Sequence, residues 1–134
     1  MADTNNHRLR RVTPCCTIST ITGGGHGFAD GVCTAARFHH PWGIVVDGNG
    51  TIYVSDFSNE CIHNVTPTDW MVSTLCGNGS KTGFPDGLAE AVRFNSQTGL
   101  VMDMDGNLII ADNDLHCICK VVPSDGRVST VAGS

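Results

Sequence analysis

Short apolar runs separated by turn residues are the dominant pattern along this chain. In the middle of the sequence the runs occupy residues 43–47, 51–56, 61–66 and 72–76, with Gly, Asn, Asp and Pro between them. Runs of this length joined by hairpin-sized links predict a four-stranded antiparallel meander. The first two of these runs are apolar at nearly every position, at residues 44–46 and 52–54, as are residues 108–110. This indicates strands that are buried on both faces of the sheet.

The pattern repeats along the chain. Residues 23–78 align without a gap with residues 79–134, and 22 of the 56 paired positions are identical. The matches include Gly-Phe-x-Asp-Gly, Arg-Phe and Val-Ser-Thr, at residues 27–31 and 83–87, 37–38 and 93–94, and 72–74 and 128–130. A partial copy precedes them, and its insertions and deletions fall only in turns, as a fold of stacked units predicts.

Three units follow from this repeat. Residues 1–23 supply only the last strands of a blade, whereas residues 24–78 and 79–134 each supply a whole blade. No long helical period lies between the strands, so a doubly wound α/β fold is excluded. The predicted fold class is all-β, with β-propeller blades built as four-stranded antiparallel meanders and arranged as an incomplete propeller arc.

A connector links the last strand of one blade to the first strand of the next, at residues 30–38 and 86–94. This is the one segment where we predict a helical turn, with Asp30 and Asp86 as its N-caps. Arg37 and Arg93 each follow one of these aspartates by seven residues, which predicts an ion pair within each connector.

The repeat resembles the NHL family. The motifs that carry the resemblance are Asp30-Gly31 with Ala36-Arg37-Phe38, Pro41-Trp42-Gly43-Ile44 up to Asp47, Gly50 to Asp56, Asn59 to Ile62, and Val72 to Gly77. The resemblance spans essentially the whole chain, as about two and a half repeats. It implies a six-bladed β-propeller type, a fold that hosts protein-binding scaffolds, RNA-binding scaffolds and enzymes.

Composition and charge narrow the possible partners. The net charge is -5 and the chain has only 8 Lys and Arg residues, so RNA binding is unfavoured even with a local patch of Arg8, Arg10 and Arg11. No apolar run is long enough to cross a membrane. The N-terminus shows no signal core and the number of cysteines, 7, is odd, which together favour a cytoplasmic location and reduced thiols.

The repeat also sorts residues by role, because a blade-building residue is needed in every blade and a functional residue only once. Asp3, Asp56 and Asp112 recur in register and are expected to cap turns. Binding-face candidates are instead residues at connectors and residues that break the period: His26, Arg37, His39, His40, Arg93 and Trp70.

The sequence predicts a different placement for each of these candidate residues. His39 and His40 are expected to point different ways and not to share an ion, and Trp70 is expected to be an exposed aromatic side chain. If a metal site existed, His26 with His39 or His40 would contribute to it, together with ligands from further blades. The sequence assigns no catalytic residue, metal or cofactor.

Three functions fit this sequence. The favoured one is a protein-interaction scaffold with an unidentified protein partner, since no unrepeated set of acid, base and nucleophile is present. The alternative is part of a six-bladed propeller enzyme, a metal-dependent lyase or lactonase-like hydrolase, and the second alternative is an RNA-binding propeller. Six blades of about 56 residues need roughly 336 residues. We therefore expect a fragment of a larger protein, whose ring is closed by further blades or by self-association.

Overall fold

The computed structural model describes residues 1–79 and 86–133. Gly83 and Phe84 of the second Gly-Phe-x-Asp-Gly motif, and the first part of the third unit, lie outside the described residues. Over the described chain the strands form three antiparallel sheets. No helix in these ranges is long and apolar enough to span a membrane.

The first sheet belongs to the partial blade and has three strands. They are β1 (Ala2–Asp3), β2 (Arg8–Val12) and β3 (Ile18–Thr22), paired in chain order. A 3-10 turn at Thr4–Asn6 joins β1 to β2.

The second sheet is a complete blade. Its meander runs through β5 (Pro41–Val46), β6 (Ile52–Asp56), β7 (Cys61–Val65) and β8 (Met71–Gly77), and its strand bounds agree with the predicted runs to within two residues. The sequence did not predict β4 (Gly31–Val32), a short strand of the connector that pairs with the outer strand β8.

The third sheet repeats this order. It consists of β9 (Gly87–Leu88), β10 (Gln97–Met102), β11 (Leu108–Asp112), β12 (Cys117–Val122) and β13 (Arg127–Gly133), with β9 paired to β13. The second and third sheets therefore have the same strand order over the described residues.

The connectors contain the predicted helical turns, as 3-10 turns at Cys33–Ala35 and Ala89–Ala91. The predicted aspartate N-caps are wrong. Val32 and Leu88 occupy the cap positions without a side-chain bond, because each aspartate binds the outer strand instead. Asp30 accepts hydrogen bonds from the Thr74 amide at 2.9 Å and its hydroxyl at 2.8 Å. A further 3-10 turn at Phe57–Asn59 and the one at Thr4–Asn6 were not predicted.

Two apolar clusters hold neighbouring sheets together. In one cluster, Leu9 of the partial blade packs with Phe38 of the connector and Val54 of the second blade, all fully buried. In the other, Tyr53 and Ile62 of the second blade pack against residues of the third. The core therefore lies between blades, which explains why the inner strands are apolar on both faces.

Candidate functional site

One edge of the sheets collects the loops that carry the unrepeated residues. Strands alternate in direction within each meander, so the turn after β6 and the connector that enters β5 lie at the same edge. The corresponding turn of the partial blade joins them, since the Thr4 hydroxyl donates to the carbonyl of Pro41 at 2.8 Å. We call this edge, formed by residues 4–7, 23–28, 36–42 and 57–60, the connector face.

Four imidazoles cluster on the connector face, between the partial blade and the second blade. Ring centroids are 4.8 Å apart for His7 and His40 and for His39 and His40, and 5.6 Å apart for His7 and both His26 and His39. His26 and His39 are separated by 5.7 Å. We call His7, His26, His39 and His40 the histidine cluster.

Hydrogen bonds order two members of this cluster. The backbone amide of His40 donates to Nδ1 of His7 at 3.2 Å, and Nδ1 of His40 lies 2.8 Å from the hydroxyl of Ser58. His40 has a backbone φ of 58°, in the left-handed region that residues other than glycine rarely adopt. Burial lowers the pKa of His7, and the three neighbouring imidazoles lower it further.

The expectation that His39 and His40 point different ways is wrong. Their rings stack with an interplanar angle of 29°, because the left-handed backbone of His40 removes the alternation of an extended strand. Sequence reasoning also missed His7, which reaches the cluster across 33 residues. The repeat could have identified His7 as a candidate, because it differs in residue type from Glu60, the residue at the same repeat position.

A pair of aromatic side chains, one exposed and one half-buried, lies beside the histidine cluster. Trp42, at the start of β5, is 56% exposed, and its ring centroid is 6.1 Å from that of Phe57. The Phe57 amide donates to the carbonyl of His40 at 3.3 Å, which ties the pair to the cluster. Both residues were missed, although Thr98 and Asn113 replace them in the next copy.

The two connector arginines make the same local contacts. Arg37 donates to the carbonyls of Thr34 and Ala36. Arg93 donates to the corresponding carbonyls of Glu90 and Val92, at 2.8 and 2.6 Å. In the described part of the chain Arg37 forms no ion pair with Asp30, contrary to the prediction. A role for either arginine in binding stays a prediction.

Trp70 is not the exposed residue that was expected. It is half-buried and packs against the cluster of Leu9, Phe38 and Val54. Its carbonyl accepts from the Cys33 amide at 3.3 Å. Trp70 therefore covers the outer strand and holds the connector, while its role in binding stays a prediction.

A second cluster lies inside the second blade. The Nε2 atom of His63 lies 3.2 Å from a carboxylate oxygen of Asp56 and 3.3 Å from the Cys61 sulfur, and all three side chains are fully buried. Its Nδ1 lies 3.3 Å from the Thr74 hydroxyl and 3.6 Å from Asp30. These donors are of types that bind zinc.

Electrostatics and the repeat both favour a structural ion pair at this position. Burial lowers the pKa of His63, but Cys61, Asp30 and Asp56 together raise it well above its ordinary value. Burial raises the pKa of the Cys61 thiol, and the carboxylates of Asp56 and Asp30 lie on the two nitrogens of the imidazole, where they favour its charged form.

The partial blade supports this interpretation. Arg10 occupies the equivalent position and contacts Asp3 at 3.0 Å and Thr20 at 2.7 Å. One cation thus bridges an aspartate and an outer-strand threonine in two successive copies. The prediction that the three aspartates cap their turns holds only for Asp112, which accepts the Leu115 amide at 3.2 Å. Asp3 and Asp56 make no cap bond to the backbone and accept the side-chain amides of Asn6 and Asn59 instead. Asp56 and Asp112 also accept amides from the preceding connector.

Side-by-side antiparallel meanders with their core between them define an arc of β-propeller blades. The family model of the NHL repeat matches residues 38–63. The chain therefore contains NHL repeats, in agreement with the motifs of its sequence.

Curated relatives share this repeat over most of the chain. The chloroplastic protein SUPPRESSOR OF QUENCHING 1 of Arabidopsis thaliana is 34% identical over 105 residues, which cover 78% of this chain and 10% of the relative. Human NHL repeat-containing protein 2 is 31% identical over 107 residues, covering 78% of this chain and 15% of the relative. The chain thus spans only 10–15% of the length of these relatives.

Solved propellers superpose on nearly the whole chain. An auxiliary nutrient binding protein of Bacteroides thetaiotaomicron matches with a TM-score of 0.73 at 25% identity, covering 96% of this chain and 34% of that one. Virginiamycin B lyase of Staphylococcus aureus matches with a TM-score of 0.62 at 13% identity, covering 96% and 35%. The likeness to the lyase shows the fold alone.

Proposed function

We propose that this chain is a protein-interaction scaffold that presents the connector face to a protein partner. The exposed Trp42 carries the proposal. Trp is among the residues most often found at interaction hot spots, and a half-exposed indole leaves much apolar area in water. Trp42 sits on an inner strand, with Phe57 beside it.

The chemistry of this face favours a protein over the alternatives. The net charge of -5 disfavours RNA, whose affinity depends on neutralising phosphates. The exposed part of the connector face described above offers aromatic rings and imidazoles, which suit contact with a polypeptide.

The next repeat of the chain indicates which substitutions of Trp42 and Phe57 the fold should tolerate. In the variant Trp42→Thr with Phe57→Asn, both positions carry the residues of the next repeat, so the blade should fold. Loss of a hot-spot tryptophan costs about 2 kcal/mol or more, roughly a 30-fold loss of affinity. The measurement is a quantitative pull-down with wild type and variant, followed by a binding titration with each purified partner.

Val12→Thr is the matched control, because Val12 is exposed on the partial blade away from the connector face. We expect partners that the control retains and the double variant loses. The proposal fails if every captured protein binds wild type and double variant with equal affinity.

A further inference from the structure

The histidine cluster is confined to one of two equivalent junctions between blades. The junction between the second and third blades has Glu60, Asn95 and Ser96 where the first has His7, His39 and His40. His26 aligns with Thr82, which lies outside the described residues. The blade architecture therefore does not require these imidazoles, and their convergence on one spot needs a separate explanation.

Hydrogen bonding leaves metal-binding atoms free in the cluster. Within the described residues, the ring nitrogens of His26 and His39 have no hydrogen-bond partner, whereas Nδ1 of His40 lies beside Ser58. If that Nδ1 donates its proton to Ser58, the lone pair of Nε2 is free. Metal-binding histidines characteristically donate their other ring N–H in this way.

We propose that the cluster binds a divalent transition metal ion of the zinc, nickel and copper class, with His26, His39 and His40 as ligands. Imidazole is a preferred ligand for these ions, and three histidines with an open fourth position form a known arrangement for zinc. His7 is a positioning residue, because its Nδ1 accepts the His40 amide and its ring packs on the others.

Forming such a site requires the rings to rotate, because the nitrogens of these three histidines do not all lie within 4.8 Å of one another in the structure. Two nitrogens bound tetrahedrally to one zinc at about 2.0 Å lie about 3.3 Å apart. The ring pairs His39–His40 and His26–His39, with centroids 4.8 and 5.7 Å apart, can reach that separation by rotation. His39 has to turn out of its stack with His40. The exposed His26 and the half-exposed His39 have room to rotate.

The first test is calorimetric titration of the chain with Zn²⁺ and with Ni²⁺. Exposed Cys15 and Cys16 bind the same ions, so all variants carry Cys15→Ser and Cys16→Ser. We expect one ion per chain. His39→Asn with His40→Ser should weaken binding by more than the roughly 10–100-fold typical of losing an outer-shell partner.

His116→Glu is the matched control, because His116 is an exposed histidine at the turn position equivalent to His7. It should bind metal like the parent chain, and circular dichroism should confirm that all variants fold. Equal binding by the double variant and the parent chain, or no binding by the parent, would overturn the proposal.

Ser58 and the ring nitrogens give a second readout. Ser58→Ala should weaken binding about tenfold and Ser58→Thr should restore it. Nitrogen NMR shifts should change most on metal addition at His26, His39 and His40, with a smaller change at His7, whose ring packs on them. A change centred on His63 or His116 would contradict the assignment. None of these measurements depends on the scaffold role proposed for Trp42.

Discussion

A single repeat position shows how the chain separates structural from functional residues. Arg10, His63 and Cys119 occupy the same place in successive copies. The first two are cations held between an aspartate and a threonine, whereas the Cys119 sulfur lies 3.6 Å from that of Cys117. His63 breaks the period, yet its contacts repeat those of Arg10. A difference in residue type is therefore a weaker signal of function than a difference in contacts.

The buried His63 predicts a pH dependence of stability. Its folded pKa lies well above the ordinary value of 6.5. The stabilisation by the charged ring is thus fully present below pH 6.5 and is lost as the pH rises through the folded pKa. His63→Gln leaves the buried Asp56 without its cation and should lower the free energy of unfolding by about 3 kcal/mol at pH 6.

Urea unfolding of wild type and His63→Gln between pH 6 and pH 9 checks this prediction. The difference between the two proteins should shrink as pH rises, because wild type then loses the charge that the variant lacks throughout. A difference that stays constant or grows with pH would contradict the assignment of a charged ring.

At the scale of elements, each outer strand ends in a glycine that the neighbouring strand requires. Gly23, Gly77 and Gly133 have φ of 104°, 82° and 85°. A Cβ on Gly77 would lie 2.5 Å from the carbonyl oxygen of Glu60 and 2.8 Å from Cα of Cys61. The close approach lets the end of β8 pass the start of β7, where the pairing register shifts.

Gly77→Ala should therefore destabilise the second blade. A side chain at this φ is strained by about 1–3 kcal/mol, and the contact with Glu60 adds to that cost. Gly48→Ala is the control, since a Cβ there meets nothing within 4 Å. Thermal unfolding of both variants measures the effect, and equal midpoints would show that the backbone relaxes without cost.

At the scale of the whole molecule, comparison of the second blade with the third shows which face of the third blade is left uncovered. Val45, Ile62 and Leu75 of the second blade pack against the cluster shared with the third blade. The equivalent residues of the third blade are Val101, Ile118 and Val131, and Val101 and Val131 are 58% and 54% exposed. We infer that this face is built to be covered by a further blade, from the same protein or from a second copy.

An uncovered face of this kind should promote self-association of the isolated chain. Val101→Thr with Ile118→Asn should reduce its apparent mass in light scattering and its binding of an apolar dye. Val12→Thr, on the partial blade, should have a smaller effect. A wild-type chain that stays monomeric at high concentration and binds no dye would contradict this prediction.

Local pattern predicted much of this protein. Strands such as Ile52–Asp56 and Cys61–Val65 followed from apolar runs between turn residues, and the repeat identified the blades and their family. The helical turns of the connectors were predicted, but the role of Asp30 was not. Its partner Thr74 is 44 residues away, and no local rule connects the two.

The sequence by itself determined the blades, because strand periodicity, turns and repetition are properties of neighbouring residues. Only the tertiary structure decided which side chains meet on the connector face. His7 and His40 come from different blades, and Trp42 lies on a strand whereas Phe57 lies in a 3-10 turn. Such contacts depend on how sheets pack and on the left-handed backbone at His40, neither of which leaves a regular pattern in the sequence.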